Sequence, residues 1–135
     1  MAATASFIAA PKNPAAQFAN ADGTNFKGLI TGGTLGSRVE SLICATTDQT
    51  NASIVQLALQ VGGVDFVIGE VTVPPGSGTN GSTKTVALLN SIDIPGLNTD
   101  TGALFLASGV TLRARPKAAV AGANTLQIVG VAGDY

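Results

Sequence analysis

The clearest hydrophobic pattern of the chain runs from Ile54 to Val73, where apolar residues alternate with the period of two that is typical of a strand with one buried face. Gly62-Gly63 interrupts this pattern with two residues that can both adopt positive φ, as a tight type I′ turn requires. The sequence therefore predicts a β-hairpin. Its expected cross-strand pairs on the buried face are Val61 with Val64, Leu59 with Phe66, and Leu57 with Ile68.

The second strand of this hairpin loses the correct phase after Ile68. Strict alternation would place Glu70 in the core and would turn Val71 and Val73 outward. One extra residue corrects the phase, and a glycine suits such a position because it has no side chain to accommodate. We therefore expect a β-bulge near Gly69.

Further short strands, separated by turn residues, are predicted on both sides of the hairpin. They cover residues 26–31, 38–46 with a change of buried face near Ser41, 103–107, 110–115 and 126–132, while residues 85–91 suit either a strand end or one helical turn. No segment has the pattern of a long helix, so the predicted fold is all-β, an antiparallel β-sandwich or jelly roll. Its predicted core residues are Leu57, Leu59, Val61, Phe66, Ile68, Val110 and Leu112.

The first 25 residues are rich in Ala, Asn and Pro and show no sustained hydrophobic period. We expect residues 1–25 to form an extended N-terminal arm and residues 26–135 to form a single β-sandwich domain. The apolar residues of the arm, Phe7, Ile8 and Phe18, are widely spaced, which suits a segment that lies across a neighbouring protein. A frayed terminus would have the same composition.

Composition changes this picture in one respect, because charged residues make up only 11% of the chain against about 25% in typical domains. A polar surface must then consist largely of Thr, Ser, Asn and Gln, which are less costly to desolvate than ions. This favours a protein that sits against other protein, although a low-charge soluble domain has the same composition. The net charge of −1 gives no electrostatic case for nucleic acid or an anionic membrane, and no apolar run reaches the length of a membrane-spanning helix.

Candidate catalytic and ligand-binding residues are scarce. Without His, and with one Cys and one Tyr, the usual general bases, zinc ligands and activated nucleophiles are missing, so we expect neither an enzyme nor a bound metal or cofactor. Cys44 is expected to be a small buried hydrophobic residue. The glycine-rich loop at 74–82 does not match the spacing of a phosphate-binding loop. Residues 98–102 are similar to part of a calcium loop, but they lack its closing Glu and an Asx-type turn explains them.

The sequence has one local basic cluster, in which Arg113, Arg115 and Lys117 alternate along a predicted strand and its end. We call these three residues the basic strip. It could dock on an acidic groove of another protein, or it could be a solvated strand face that protects a sheet edge from aggregation. Binding of nucleic acid by the basic strip is a third interpretation, and it is disfavoured because no aromatic residues alternate with the charged ones in the sequence. The candidate interface residues are therefore Phe7, Ile8, Phe18, Arg113, Arg115 and Lys117.

Several short segments also stand in a particular order along the chain. They are GSRVESL at 36–42, VGGVDF at 61–66, VPPG at 73–76, LLN at 88–90, LFLASGVTL at 104–112 and the terminal GDY. This order resembles a group of small structural proteins of tailed bacteriophages and prophages, and the resemblance covers about residues 26–135. The decoration or cement proteins of that group are small β-rich modules that sit as trimers on the outer shell.

The resemblance implies a capsid decoration protein that binds the major capsid protein on the outer surface of the head, stabilises the shell and assembles as a homotrimer. It also implies synthesis in the host cytoplasm, in agreement with an N-terminal sequence that lacks the basic region of a secretory signal. A fibre, spike or tail component that binds a host surface or glycan is the alternative. Neither nucleic acid nor membrane is an expected partner.

Overall fold

The computed structural model describes residues 9–97 and 102–135, and in it two antiparallel sheets pack face to face. The predicted all-β sandwich is therefore confirmed. The strands are β1 (Ala10–Lys12), β2 (Ala15–Phe18), β3 (Lys27–Thr31), β4 (Ser37–Thr46), β5 (Ser53–Val61), β6 (Val64–Val73), β7 (Val86–Ala87), β8 (Leu104–Leu106), β9 (Thr111–Pro116) and β10 (Leu126–Asp134). A single 3₁₀ turn covers Asn20–Asp22 in the described part of the chain.

Each sheet is built around two central strands. In sheet A, β10 pairs with β4, the short strands β1 and β2 pair with the free side of β10, and the short strands β7 and β8 pair with the free side of β4. Sheet B has the order β3-β9-β5-β6. The first described strand therefore lies beside the last, with Ala10 opposite Asp134.

The core fills the space between the two sheets. Leu57 and Leu112 are fully buried there, as predicted. The other large side chains with almost no exposure are Phe18, Val39, Leu42, Val55, Val71, Val73, Leu88, Ile94, Leu126 and Ile128. Several of these belong to loops and short strands, so the core is closed by irregular segments as well as by the sheets.

The central hairpin forms as predicted at its turn, where Gly62 has φ 60° and Gly63 has φ 81°. Val61 pairs with Val64 and Leu59 pairs with Phe66, which confirms the register near the turn. The register then shifts, so that Leu57 lies opposite Gly69. The predicted pairing of Leu57 with Ile68 is therefore wrong, because Ile68 itself is the extra residue of the bulge.

The consequences predicted for this bulge are confirmed. Val71 and Val73 face the core with 2% and 0% exposure, whereas Glu70 points outward. Strand β4 contains a second irregularity, since Val131 pairs with Ser41 but the next residue of β10 pairs with Val39. Glu40 is thus the extra residue, which confirms the change of buried face near Ser41.

Two of the predicted core residues are not in the core, since Val61 is 47% exposed and Phe66 is 55% exposed. Leu59, Ile68 and Val110 are only partly buried. The pairing of β5 with β9 ends at Gln60, so the tip of the hairpin extends past its neighbouring strand. The apolar side of this end of the hairpin is therefore only half covered in the described structure.

The N-terminal segment also differs from the prediction. Residues 10–12 and 15–18 pair with β10 inside sheet A, and Phe18 is fully buried in the core of its own chain. The expectation that Phe18 contacts a neighbouring protein is therefore wrong, and the sandwich begins well before residue 26. Phe7 and Ile8 lie outside the described residues.

Candidate functional site

The basic strip lies on the outer face of sheet B, where Arg113 and Arg115 alternate with the buried residues of β9. Strand β9 is flanked by β3 and β5, so it is an inner strand of its sheet. Protection of a sheet edge, one of the two roles considered for these residues, therefore does not apply to this strand.

Two residues, Asp65 and Phe26, hold the Arg113 guanidinium at the N-terminal half of the strip. One terminal nitrogen of its guanidinium lies 3.0 and 3.2 Å from the two carboxylate oxygens of Asp65, and the other donates to the backbone carbonyl of Phe26 at 3.1 Å. The Phe26 ring lies against both arginines, with its centre 4.5 Å from the Arg115 guanidinium carbon. These contacts fix the orientation of the guanidinium groups.

A chain of polar contacts continues along the strip. Arg115 Nε donates to Gln56 Oε1 at 2.9 Å, and Gln56 Nε2 donates to Glu70 Oε1 at 2.9 Å. Lys117 Nζ lies 2.9 Å from the same Glu70 oxygen. Hydrogen bonds from Lys117 and then from Gln56 hold the pKa of the Glu70 carboxyl below its ordinary value.

The strip is consequently a surface of paired charges. Two of its three cations have a carboxylate partner, Asp65 for Arg113 and Glu70 for Lys117, and Arg115 is bound by an amide and an aromatic ring. An acidic partner would have to compete with these acceptors. The structure thus brings the three predicted residues together, but as a network with carboxylates and an amide from β5 and β6 that the sequence did not indicate.

A second surface, which the sequence analysis missed, is the outer face of sheet A. Arg38 and Glu40, in the first half of β4, point outward and form an ion pair at 2.8 Å. The other outward residues on β2, β4 and β10 are uncharged: Ala15, Gln17, Ser41, Ile43, Ala45, Gln127, Val129 and Val131. Ile43, Val129 and Val131 are 40%, 44% and 54% exposed. The signal was present in the sequence, since apolar residues occupy the outward as well as the inward positions of both central strands.

The third surface is the overhanging end of the β5–β6 hairpin. We call Val61, Val64 and Phe66, which lie on one side of the hairpin, the hairpin tip; all three side chains are about half exposed, and so is Val67 on the opposite side. The nearest carboxylate, Asp65, is bound to Arg113 on the outer face of sheet B. Large exposed apolar side chains grouped in this way are typical of protein contact sites.

The remaining sequence candidates give no catalytic group. Cys44 is fully buried, and burial raises the pKa of its thiol to about 12, so the thiolate that would react is suppressed. In the glycine-rich loop, Asn80 Oδ1 accepts hydrogen bonds from the backbone N–H groups of Ser82 and Thr83, which stabilises the loop itself. Residues 98–101 of the calcium-loop candidate lie outside the described residues.

Among the described residues, no group of three or more potential metal ligands comes together. Nor does the described chain contain a helix with the length and hydropathy needed to span a bilayer. Comparison of the sequence with protein-family models finds no matching family, and comparison with curated proteins finds no significant match.

Proposed function

We propose that this chain is a structural protein of a tailed-bacteriophage virion, and that it acts as a capsid decoration protein on the outer surface of the head. The observation that carries the proposal is the amount of apolar surface on the sandwich, at the hairpin tip and around Ile43, Val129 and Val131 on the outer face of sheet A. The sequence segments whose order along the chain resembles phage structural proteins indicate the kind of assembly in which such a surface would be used.

The physical case is one of desolvation. A surface of Val, Ile, Ala, Ser and Gln can be covered by another protein without stripping water from ions, so most of the buried apolar area contributes to affinity. A decoration protein meets its partner many times over on one particle. Modest contacts, repeated by symmetry, are then sufficient to hold it in place and to reinforce the shell against internal pressure.

The major capsid protein is the proposed partner, and co-sedimentation with heads is the test. Purified protein mixed with undecorated heads is expected to pellet with them and to saturate at a fixed ratio to the capsid subunit. Immunogold labelling of complete particles is expected to mark the head. Labelling confined to the tail, or binding of the isolated protein to host cells in place of heads, would support the fibre or tail alternative and overturn the proposal.

We further propose that residues before the first strand take part in binding the shell, because Phe7 and Ile8 provide apolar side chains and precede the edge strand β1. A variant that begins at Ala9 keeps every described strand. It is expected to bind heads at least tenfold more weakly than the full chain while melting at the same temperature. Equal affinity of the two proteins for heads would show that these residues have no part in docking.

A further inference from the structure

The glycine-rich loop after β6 carries an Asn-Gly step, Asn80-Gly81, and this pair occurs once in the sequence. At such a step the backbone nitrogen of the glycine can attack the side-chain amide of the asparagine, because no Cβ stands in its way. Both residues are exposed, and a Cβ at Gly81 would meet no atom within 4 Å. Water and hydroxide therefore have access to the two groups that react.

The side chain of Asn80 is held over this peptide bond. Its Oδ1 accepts hydrogen bonds from the backbone N–H groups of Ser82 at 2.9 Å and of Thr83 at 2.7 Å, and its Nδ2 donates to Thr83 Oγ1 at 3.0 Å. A side-chain carbonyl that binds the N–H group two residues later folds back over the peptide bond between them, as in an Asx-turn. The Asn80 amide carbon is thereby kept beside the nitrogen of Gly81.

The attacking nitrogen is not engaged elsewhere in the loop. Within the part of the chain that the structure describes, the Gly81 N–H group has no acceptor. The N–H groups on either side of it do, since Asn80 donates to the Gly76 carbonyl at 3.1 Å and Ser82 donates to Asn80 Oδ1. Removal of the Gly81 proton therefore breaks no hydrogen bond of the fold.

We propose that Asn80 is a site of spontaneous deamidation, and that the folded loop promotes the reaction. Hydroxide removes the Gly81 N–H proton, and the nitrogen bonds to Asn80 Cγ. The negative charge that develops on Oδ1 is stabilised by the N–H groups of Ser82 and Thr83, whose distances are those of oxyanion-hole donors. The amide nitrogen takes a proton from water and leaves as ammonia, which closes a succinimide ring. Water then opens the ring, so the net change is loss of ammonia and gain of water.

The ring opens at either of its two carbonyl carbons, and the two products affect the loop differently. Aspartate at position 80 can still accept both N–H groups, and it adds one negative charge to residues 74–83, which otherwise carry none. That charge makes the loop more costly to desolvate. Isoaspartate lengthens the main chain between Gly78 and Thr83, where the Gly78 N–H group donates to the Thr83 carbonyl at 2.7 Å, so we expect it to open the loop.

The test is made on the isolated chain and does not depend on the proposed function. The full chain is aged in mildly alkaline buffer at physiological temperature, and peptide mapping by mass spectrometry follows each asparagine. A synthetic peptide of residues 76–85 in the same buffer measures the step without the fold. We expect Asn80 to convert several-fold faster in the full chain than in the peptide. An equal or lower rate in the full chain would overturn the proposal.

Asn90 serves as the comparison within the same sample. Its Oδ1 also accepts a backbone N–H group, that of Asp93 at 2.9 Å, but the next residue is Ser91 and has a Cβ. We expect Asn90 to convert at least tenfold more slowly than Asn80. Similar rates at the two positions would contradict the assignment to the Asn-Gly step.

Two replacements of Ser82 test the role of its N–H group. Ser82→Pro removes this donor to Asn80 Oδ1, whereas Ser82→Ala keeps it and loses only the longer hydroxyl contact at 3.3 Å. In the full chain we expect Ser82→Ala to convert like the wild type and Ser82→Pro to convert at least tenfold more slowly, at unchanged melting temperature. Equal rates for the two variants would show that the held carbonyl does not assist the reaction, and the proposal would be overturned.

Discussion

At the scale of single residues, Gly69 shows how closely the loop after β7 packs against the hairpin. A Cβ at this position would lie 2.4 Å from both the Asp93 carbonyl oxygen and Ile94 Cδ1. We expect Gly69→Ala to lower the free energy of unfolding by about 1–3 kcal/mol, because the loop must shift to relieve the overlap. Urea denaturation followed by circular dichroism measures this change.

Gly96→Ala is the matched control, since a Cβ there meets no atom within 4 Å. Its unfolding free energy should stay within about 0.5 kcal/mol of the wild type. If Gly69→Ala were as stable as Gly96→Ala, the loop would not be packed against β6 as described.

Glu70 makes the polar network on sheet B sensitive to pH. Its carboxyl has a folded-state pKa below the ordinary value of 4.5, chiefly because Lys117 and Gln56 donate hydrogen bonds to it. A lowered folded pKa means that the ionised group stabilises the fold above about pH 4.5, and that this contribution is lost as the pH falls through the folded pKa.

The variant Glu70→Gln tests this effect. At pH 7 we expect it to melt at a lower temperature than the wild type, and the difference should shrink in acid, below the ordinary pKa of 4.5. Comparing the two proteins at each pH is necessary, because Asp22, Asp48 and Asp134 also have lowered pKa values and destabilise both in acid. A difference that stays constant with pH would mean that the Glu70 charge contributes nothing.

At the scale of elements, the central hairpin has a buried half and an exposed half on the same apolar side. Leu57 has no exposure, whereas Val61, four residues later on the same side of β5, is 47% exposed. Leu57→Ala is expected to lower the free energy of unfolding by about 2–5 kcal/mol, because it opens a cavity in the core. Val61→Ala should change it by about 0.5 kcal/mol.

Chemical denaturation of both variants gives the comparison. Equal losses of stability would mean that the hairpin tip is covered in the isolated chain, contrary to the structure. The same contrast applies to charge: Leu57→Asp should prevent folding because it buries an unpaired carboxylate, whereas Val61→Asp should fold.

At the scale of the whole molecule, the fold depends on its first strands as much as on its last. β1 and β2 cover the free side of β10, and Phe18 fills the core at 0% exposure. Lys12 Nζ also lies 2.8 Å from Asp134 Oδ2, which joins the first and last strands near the chain ends. These contacts join residues more than a hundred positions apart.

Truncation tests this long-range closure. A variant that begins at Ala21 lacks β1, β2 and Phe18, so it should expose the edge of β10 and aggregate or unfold. The variant that begins at Ala9 is the control and should melt like the full chain. A stable, soluble variant beginning at Ala21 would show that residues 9–20 are an accessory arm and not part of the sandwich.

The residues of the hairpin show what could be predicted. Alternation, the two consecutive glycines and the phase error before Val71 are local properties of the chain, so the turn, the bulge and the return of Val71 and Val73 to the core follow from the sequence. The same holds for the change of face in β4. Each depends on neighbouring residues and on the fixed period of a strand.

The candidate surfaces were only partly predictable. The sequence placed Arg113, Arg115 and Lys117 on one side, but it could not supply Asp65, Gln56 and Glu70, which come from other strands. It also could not separate the exposed Val61 from the buried Leu57.

By itself, then, the sequence determined the all-β class, the strand periods and the irregularities within strands, because these depend on the backbone and on adjacent side chains. The tertiary structure alone decided which apolar residues are covered, since burial depends on whether a second sheet lies opposite. It covered Phe18 completely through pairing with a strand at the far end of the chain, and it left Phe66 and Val129 about half exposed because the described elements cover them only in part.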